Sequence, residues 1–203
     1  MQSEAPNSSD TRLLGLILAA GSGSRYGALK QLLQVNDLPM VVRAVRLANA
    51  VCDAGVLVVT GAGQAEIVAA LAGEPARAVY NPAWREGMGA SLRQGALAAP
   101  AGISGLLVML ADQAALSVAD IQGLWKAWLA QPQQPAAAWF GSRLGAPAIF
   151  PASWLPRLLA AQGDQGARSL LRAEIDVSRV PMASASEDID TPADYLRLAG
   201  RED

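Results

Sequence analysis

Short apolar runs alternate with amphipathic stretches along most of this chain, and that alternation leaves very few folds open to it. "LLGLILAA" at residues 13–20, "GVLVVTG" at 55–61 and "GLLVMLAD" at 105–112 are apolar almost throughout and are bounded by glycine or an acid. Runs of this length without polar alternation read as strands buried on both faces. Pro39 opens a helix with Val41, Ala44, Val45, Ala48 and Val51 on one face and Arg43, Arg46 and Asn49 on the other. The spacing predicts further helices over 64–72, 90–98, 154–161, 166–173 and 191–198. Another follows the stripe Val118, Ile121, Leu124, Trp125, Trp128 and Leu129. Further strands are expected at 76–81, 136–140, 146–150 and 177–182. Strands alternating with helices predict an α/β fold, a mostly parallel sheet with helices on both faces.

The chain has 203 residues, 52% of them apolar and 17% charged, a globular composition with one full core. No repeat or long linker divides it, so residues 12–203 are expected to form one domain. "MQSEAPNSSDT" at residues 1–11 is polar and acidic, unlike a secretory signal, and is expected to be a disordered tail on a cytoplasmic protein. A net charge of −2 gives no basic face for nucleic acid. The apolar runs fall far short of the roughly 20 residues a membrane span needs. Cys52 is the only cysteine and there is no histidine. These absences remove disulfides within the chain, a Ser-His-Asp arrangement and nearly every catalytic zinc site. Whatever chemistry occurs uses carboxylates and lysines, or needs little proton shuttling.

The first run ends in "GSGSRYGALK". Gly21, Gly23 and Gly27 miss the dinucleotide fingerprint by one residue, and no acid ends the second strand to hold a ribose. Lys30 comes too late after Gly27 for a Walker loop. What remains is a turn rich in backbone N–H groups carrying Arg25 and Lys30. It reads as a site for a charge-dense ligand such as a triphosphate, or as a tight turn with solvated charges. Asp112 ends the strand at 105–112, where a Mg²⁺ ligand belongs, and Asp188 or Asp190 offers a second carboxylate. Taken singly, each acid reads more simply as a helix cap, Asp112 for the helix near Ser117 and the others before Thr191-Pro192. Trp84, in "NPAWREGMG", has no apolar periodicity around it and reads either as a site wall or as core.

Taken together, "LAAGSGSRYGALKQLL", "NPAWREGMGASLRQG", "LLVMLADQ", "GAPAIFP", "LLAAQGDQGARSLL" and "DIDTPADY" resemble the molybdenum cofactor cytidylyltransferases, within the wider MobA-like nucleotidyltransferases. The resemblance spans nearly all of the chain after the tail. It implies a Rossmann-like fold of the nucleotide-diphospho-sugar transferase type. It also implies transfer of CMP from CTP to the phosphate of a molybdopterin-type cofactor, with release of pyrophosphate. By the same resemblance Leu18, Ala19, Ala20, Gly21, Ser22, Gly23, Ser24, Arg25 and Lys30 would bind the nucleotide, and Arg25, Lys30 and Asp112 would be catalytic. Gly87, Met88 and Ser91 would lie beside the base and ribose, and Asp164 and Arg168 on the pterin side. Asp112 and Asp190 would hold Mg²⁺. A molybdenum hydroxylase or its chaperone would be a transient partner.

Leu18-Ala19-Ala20-Gly21 resembles the CTP-using relatives, where GTP-using ones read Leu-Ala-Gly-Gly, so the Ala20 methyl would narrow the space for a purine. The chain departs from the family at Ala114, where proline is usual, and at Ala146, where histidine or asparagine is common. Two other functions fit the same motifs. One is nucleotidyl transfer to another phosphorylated acceptor, of guanylyl or of sugar- or polyol-phosphate type. The other is a non-catalytic nucleotide-binding chaperone, which would tolerate loss of Asp112.

Overall fold

A computed structural model describes residues 11–23, 26–172, 174–187, 189 and 193–195. The first run forms β1 (Leu13–Ala19). A short hairpin follows, β2 (Gln34–Val35) and β3 (Leu38–Pro39), before α1 (Met40–Asn49). Then come β4 (Val56–Thr60), α2 (Gln64–Ala70), β5 (Arg77–Tyr80), α3 (Met88–Leu97) and β6 (Gly105–Leu110). The remainder is α4 (Val118–Ala130), β7 (Ala136–Phe140), β8 (Arg143–Pro151), α5 (Leu155–Leu159), α6 (Ala167–Leu171) and β9 (Ser178–Pro181). The expected closing helix at 191–198 lies outside the described residues except for 193–195, which are helical. The expected tail lies outside them too, apart from Thr11.

Seven strands form one sheet in the order β5-β4-β1-β6-β8-β7-β9. All neighbours run parallel except β8, which is antiparallel to both β6 and β7. The fold is therefore α/β with a mostly parallel sheet. Side chains of β1 alternate between the faces. Leu13, Ile17 and Ala19 join one buried cluster with residues of α1, α2 and α4, whereas Leu14, Leu16 and Leu18 join another with residues of α3, α5 and α6. Burial on both faces explains why these strands are uniformly apolar. At Gly95 of α3 a Cβ would lie 2.3 Å from Leu16 Cδ1, so glycine lets that helix sit close against β1.

Two hairpins were invisible in the apolar rhythm. Asn36 and Asp37 (φ 51° and 59°) join β2 to β3, and Gly141 and Ser142 (φ 52° and 62°) join β7 to β8. Two consecutive residues with positive φ make the two-residue turn that matches strand twist. β8 accordingly begins at Arg143, three residues before the expected strand. Among the described residues no helix is long and apolar enough to cross a membrane.

Candidate active site

After β1 the chain crosses to β4 and β5 on one side, and β6 lies on the other side of β1. The connections leave in opposite directions at that point, and a crevice opens beyond the strands' carboxyl ends. A cleft of about 720 Å³ lies there, lined by Leu18, Ala20, Gly21, Ser22 and Gly23 from β1 and its loop. Ala19 is not among the lining residues, and its methyl is buried in the core cluster on the α1 side. Gly23 has φ +62°, and a Cβ on it would lie 2.1 Å from the Ala28 carbonyl oxygen. The N–H groups of Tyr26 and Gly27 donate to the Gly23 carbonyl at 2.8 and 3.0 Å and close the turn. Ser24 and Arg25 lie outside the described residues.

Lys30 and Asp112 meet across the cleft, Nζ to Oδ2 at 3.0 Å, with side chains 13% and 26% exposed. They are 82 residues apart in sequence. Asp112 is not the cap of α4. Ser117 Oγ accepts the Asp120 N–H at 3.2 Å, and Asp120 Oδ2 accepts the Ser117 N–H at 2.8 Å. This capping box leaves Asp112 no role at that helix.

The opposite wall is the start of α3. Its N-cap, Gly87, has φ 114°, provides no side-chain cap, and is followed by no acid in the first turn. The Gly89 N–H of this first turn donates instead to the Gly163 carbonyl at 2.8 Å, an acceptor at the positive end of the helix dipole. Gly87, Met88 and Ser91 all line it. Asn81 donates from Nδ2 to Ser91 Oγ at 3.1 Å and accepts the Ala83 N–H at 3.0 Å, tying α3 to the turn at Trp84–Glu86. Trp84 is a cleft wall, with the Arg85 guanidinium 4.2 Å above its ring. A Cβ on Gly87 would stand 2.7 Å from Asp164 Oδ1, which shows how closely that carboxylate approaches the helix start. Asp164 lines the cleft, whereas Arg168, in the last turn of α6, is not among the residues that do.

A family model for the MobA-like NTP transferase domain matches residues 15–179. The chain belongs to this family. It is 30% identical over 197 residues to the purine catabolism protein PucB of Bacillus subtilis (strain 168), covering 90% of this chain and 94% of PucB. Its fold matches Rv0371c of Mycobacterium tuberculosis H37Rv with a TM-score of 0.81 and 24% identity, over 94% of this chain and 99% of that one. Rv0371c has also been solved in complex with manganese. A nucleotidyl transferase from Methanothermobacter thermautotroptrophicus (Mth528) matches with a TM-score of 0.76 and 24% identity, over 94% and 97% of the two chains.

In this MobA-like nucleotidyltransferase the residues fit a divalent ion of the oxygen-seeking kind. Among the described residues no three His, Cys, Asp or Glu side chains gather into a cage. A cation shared with substrate phosphates needs only one or two carboxylates, and Asp112 offers one at the cleft. The Ile189 N–H donates to the Asp112 carbonyl at 3.3 Å, which brings the chain just before Asp190 against Asp112. Asp190 itself lies outside the described residues. Cys52 is far from this chemistry in character, since burial, and then the nearby Asp53 charge, push its thiol pKa up.

Sequence reading missed Gln31 and Arg85 in the cleft and left Trp84 open. The signal was weak in each case. Gln31 directly follows Lys30, and Trp84 and Arg85 sit in a short turn with no periodicity to read.

Proposed function

We propose that this MobA-like nucleotidyltransferase transfers CMP from CTP to the phosphate of a molybdopterin-type cofactor, with Mg²⁺. The observation that carries the reading is the Lys30–Asp112 pair, set between the glycine loop and the start of α3. An acceptor phosphate oxygen attacks the α-phosphorus of CTP, a new P–O bond forms, and the bond from that phosphorus to the β-bridging oxygen breaks. Pyrophosphate leaves. The acceptor is a phosphate monoester whose second pKa is about 6, so it is already largely dianionic and needs no base. This agrees with a chain that has no histidine.

The obstacle is repulsion between two anions, which fixed cations and oriented N–H groups reduce. Lys30 and Arg25 neutralise the triphosphate and steady the departing pyrophosphate. The loop from Gly21 to Gly27 supplies N–H groups. Gly87, Met88 and Ser91 hold the base and ribose, and Asp164 and Arg168 meet the acceptor side. Asp112, with Asp190, would hold the divalent ion, which when bound neutralises phosphate charge. A molybdenum hydroxylase or its chaperone would receive the product.

The test is pyrophosphate release over the four nucleoside triphosphates, with and without molybdenum cofactor. CTP with the cofactor should give turnover that no other pair matches. Turnover with a sugar or polyol phosphate instead would replace the acceptor. Nucleotide binding with no turnover under any acceptor would favour a chaperone.

A further inference from the structure

Both members of the charged pair are followed in sequence by a glutamine, and both glutamines are buried, each about 5% exposed. Gln31 Nε2 donates to the carbonyls of Ala19 at 3.2 Å and Gly21 at 2.7 Å. Gln113 Nε2 donates to the carbonyls of Ala146 at 2.8 Å and Ala185 at 3.2 Å. In each the side-chain oxygen is buried without a hydrogen-bond partner. A buried acceptor left unpaired needs a reason. Here both amides direct their donors to backbone carbonyls, Gln31 on the loop that lines the cleft and Gln113 behind Asp112.

The consequence follows from peptide geometry. The carbonyl and the next N–H point in opposite directions across a trans peptide. With the Gly21 carbonyl held by Gln31, the Ser22 N–H is turned away from Gln31, on a loop that lines the cleft. Gln31 thus sets the loop's donors and Lys30 together. Gln113 ties the turn after Asp112 to β8 and to the turn at Ala183–Ser186, which leads into Ile189 on the Asp112 carbonyl.

We propose that Gln31 and Gln113 are matched positioning residues, one holding Lys30 and the loop at Gly21, the other holding Asp112 and the strand and turn packed behind it. The inference rests on the reading of Lys30 and Asp112 as the reactive pair. Neither glutamine touches a reacting atom; each acts through its neighbour.

The test replaces each by methionine, of similar shape and without the amide donors. Both variants should melt within a few degrees of the wild type and lose about tenfold to a hundredfold in kcat, as displacement of reacting groups does. Gln31→Met should also weaken metal-free CTP binding in equilibrium dialysis, whereas Gln113→Met should leave it unchanged. Adding Gln31→Met to Lys30→Ala, or Gln113→Met to Asp112→Asn, should cost less than about twofold further, since each pair acts as a unit. If a methionine variant does not fold, Gln31→Asn and Gln113→Asn keep the polarity but shorten the reach, and must show the same split. Wild-type kcat and CTP affinity in well-folded glutamine variants would overturn the inference, as would fully additive losses in the double variants. Full activity in Lys30→Ala and Asp112→Asn would overturn the site reading instead.

Discussion

Lys30 carries two different tasks, and a substitution separates them. In the structure it faces Asp112 at 3.0 Å, and in the proposed reaction it would face charge growing on the leaving pyrophosphate. Lys30→Ala should therefore cut kcat by about 10²–10³, the cost of removing one transition-state donor. Nucleotide KM should move much less. A raised KM with kcat unchanged, measured by steady-state pyrophosphate release, would make Lys30 a binding residue alone. Asp112→Asn keeps the shape and removes the charge that a divalent ion requires, so activity should fall to a small measurable remainder with folding intact. Ala20 is the residue to test for base choice. It lines the cleft and belongs to the core cluster that includes Leu92 of α3. Ala20→Gly should raise GTP use modestly, because it removes a clash without adding a contact. The ratio of CTP to GTP specificity constants measures it, and an unchanged ratio would move base selection to the stretch around Gly87.

α3 matters as an element because its position sets one wall of the cleft. Its closeness to β1 depends on Gly95, where any Cβ would overlap the Leu16 side chain. Gly95→Ala should cost about 1–3 kcal/mol from overpacking. It should also raise CTP KM, since the helix moves with its N-terminus. Gly123 in α4 is the control, because a Cβ there meets nothing within 4 Å. Gly123→Ala should stabilise by about 0.4–1 kcal/mol through the unfolded chain and leave KM alone. Urea midpoints and CTP titrations on the two variants decide it. Equal behaviour at both glycines would mean that α3 can shift without consequence for the site. Periodicity read these helices well, yet α3 begins at Met88, before the expected 90, because Met88 lines the cleft and Gly89 sits close on the Gln162 backbone, so neither adds to an apolar stripe.

At the scale of the whole molecule, Cys52 links ionisation to global stability. It is buried beneath the sheet, where a Cβ on Gly15 would lie 3.3 Å from its sulfur. Burial raises its thiol pKa in the folded state, so above the ordinary thiol value of about 8.5 the unfolded chain loses a proton that the folded chain keeps. The folded state then binds more protons, and stability falls as pH rises, by up to about 1.4 kcal/mol per pH unit for this group. Urea unfolding of wild type and Cys52→Ala between pH 7.5 and 10 should show the steeper decline in the wild type. Parallel declines would mean that the thiolate is tolerated in place. The native thiol should also resist alkylation until the protein unfolds.

Most strands and helices were legible because each depends on residues near in sequence: a strand on a continuous apolar run, a helix on a stripe every three or four residues. The glycine loop, Lys30 and Asp112 were legible for the same reason, each being marked by its immediate neighbours. The two hairpins were not, because a turn of two residues leaves little pattern. Nor did local pattern say that β8 runs antiparallel, which depends on its pairing with β6 and β7. Local pattern also could not say that Trp84, Arg85 and Asp164 share a cleft with Gly23. By itself the sequence determined which segments are strands, which are helices, and which residues carry charge at strand ends. Tertiary structure decided that β6 lies beside β1 on the side away from β4 and so brings Asp112 within 3.0 Å of Lys30. Periodicity is a property of neighbours along the chain, and a contact across 82 residues is decided only when the sheet closes its order.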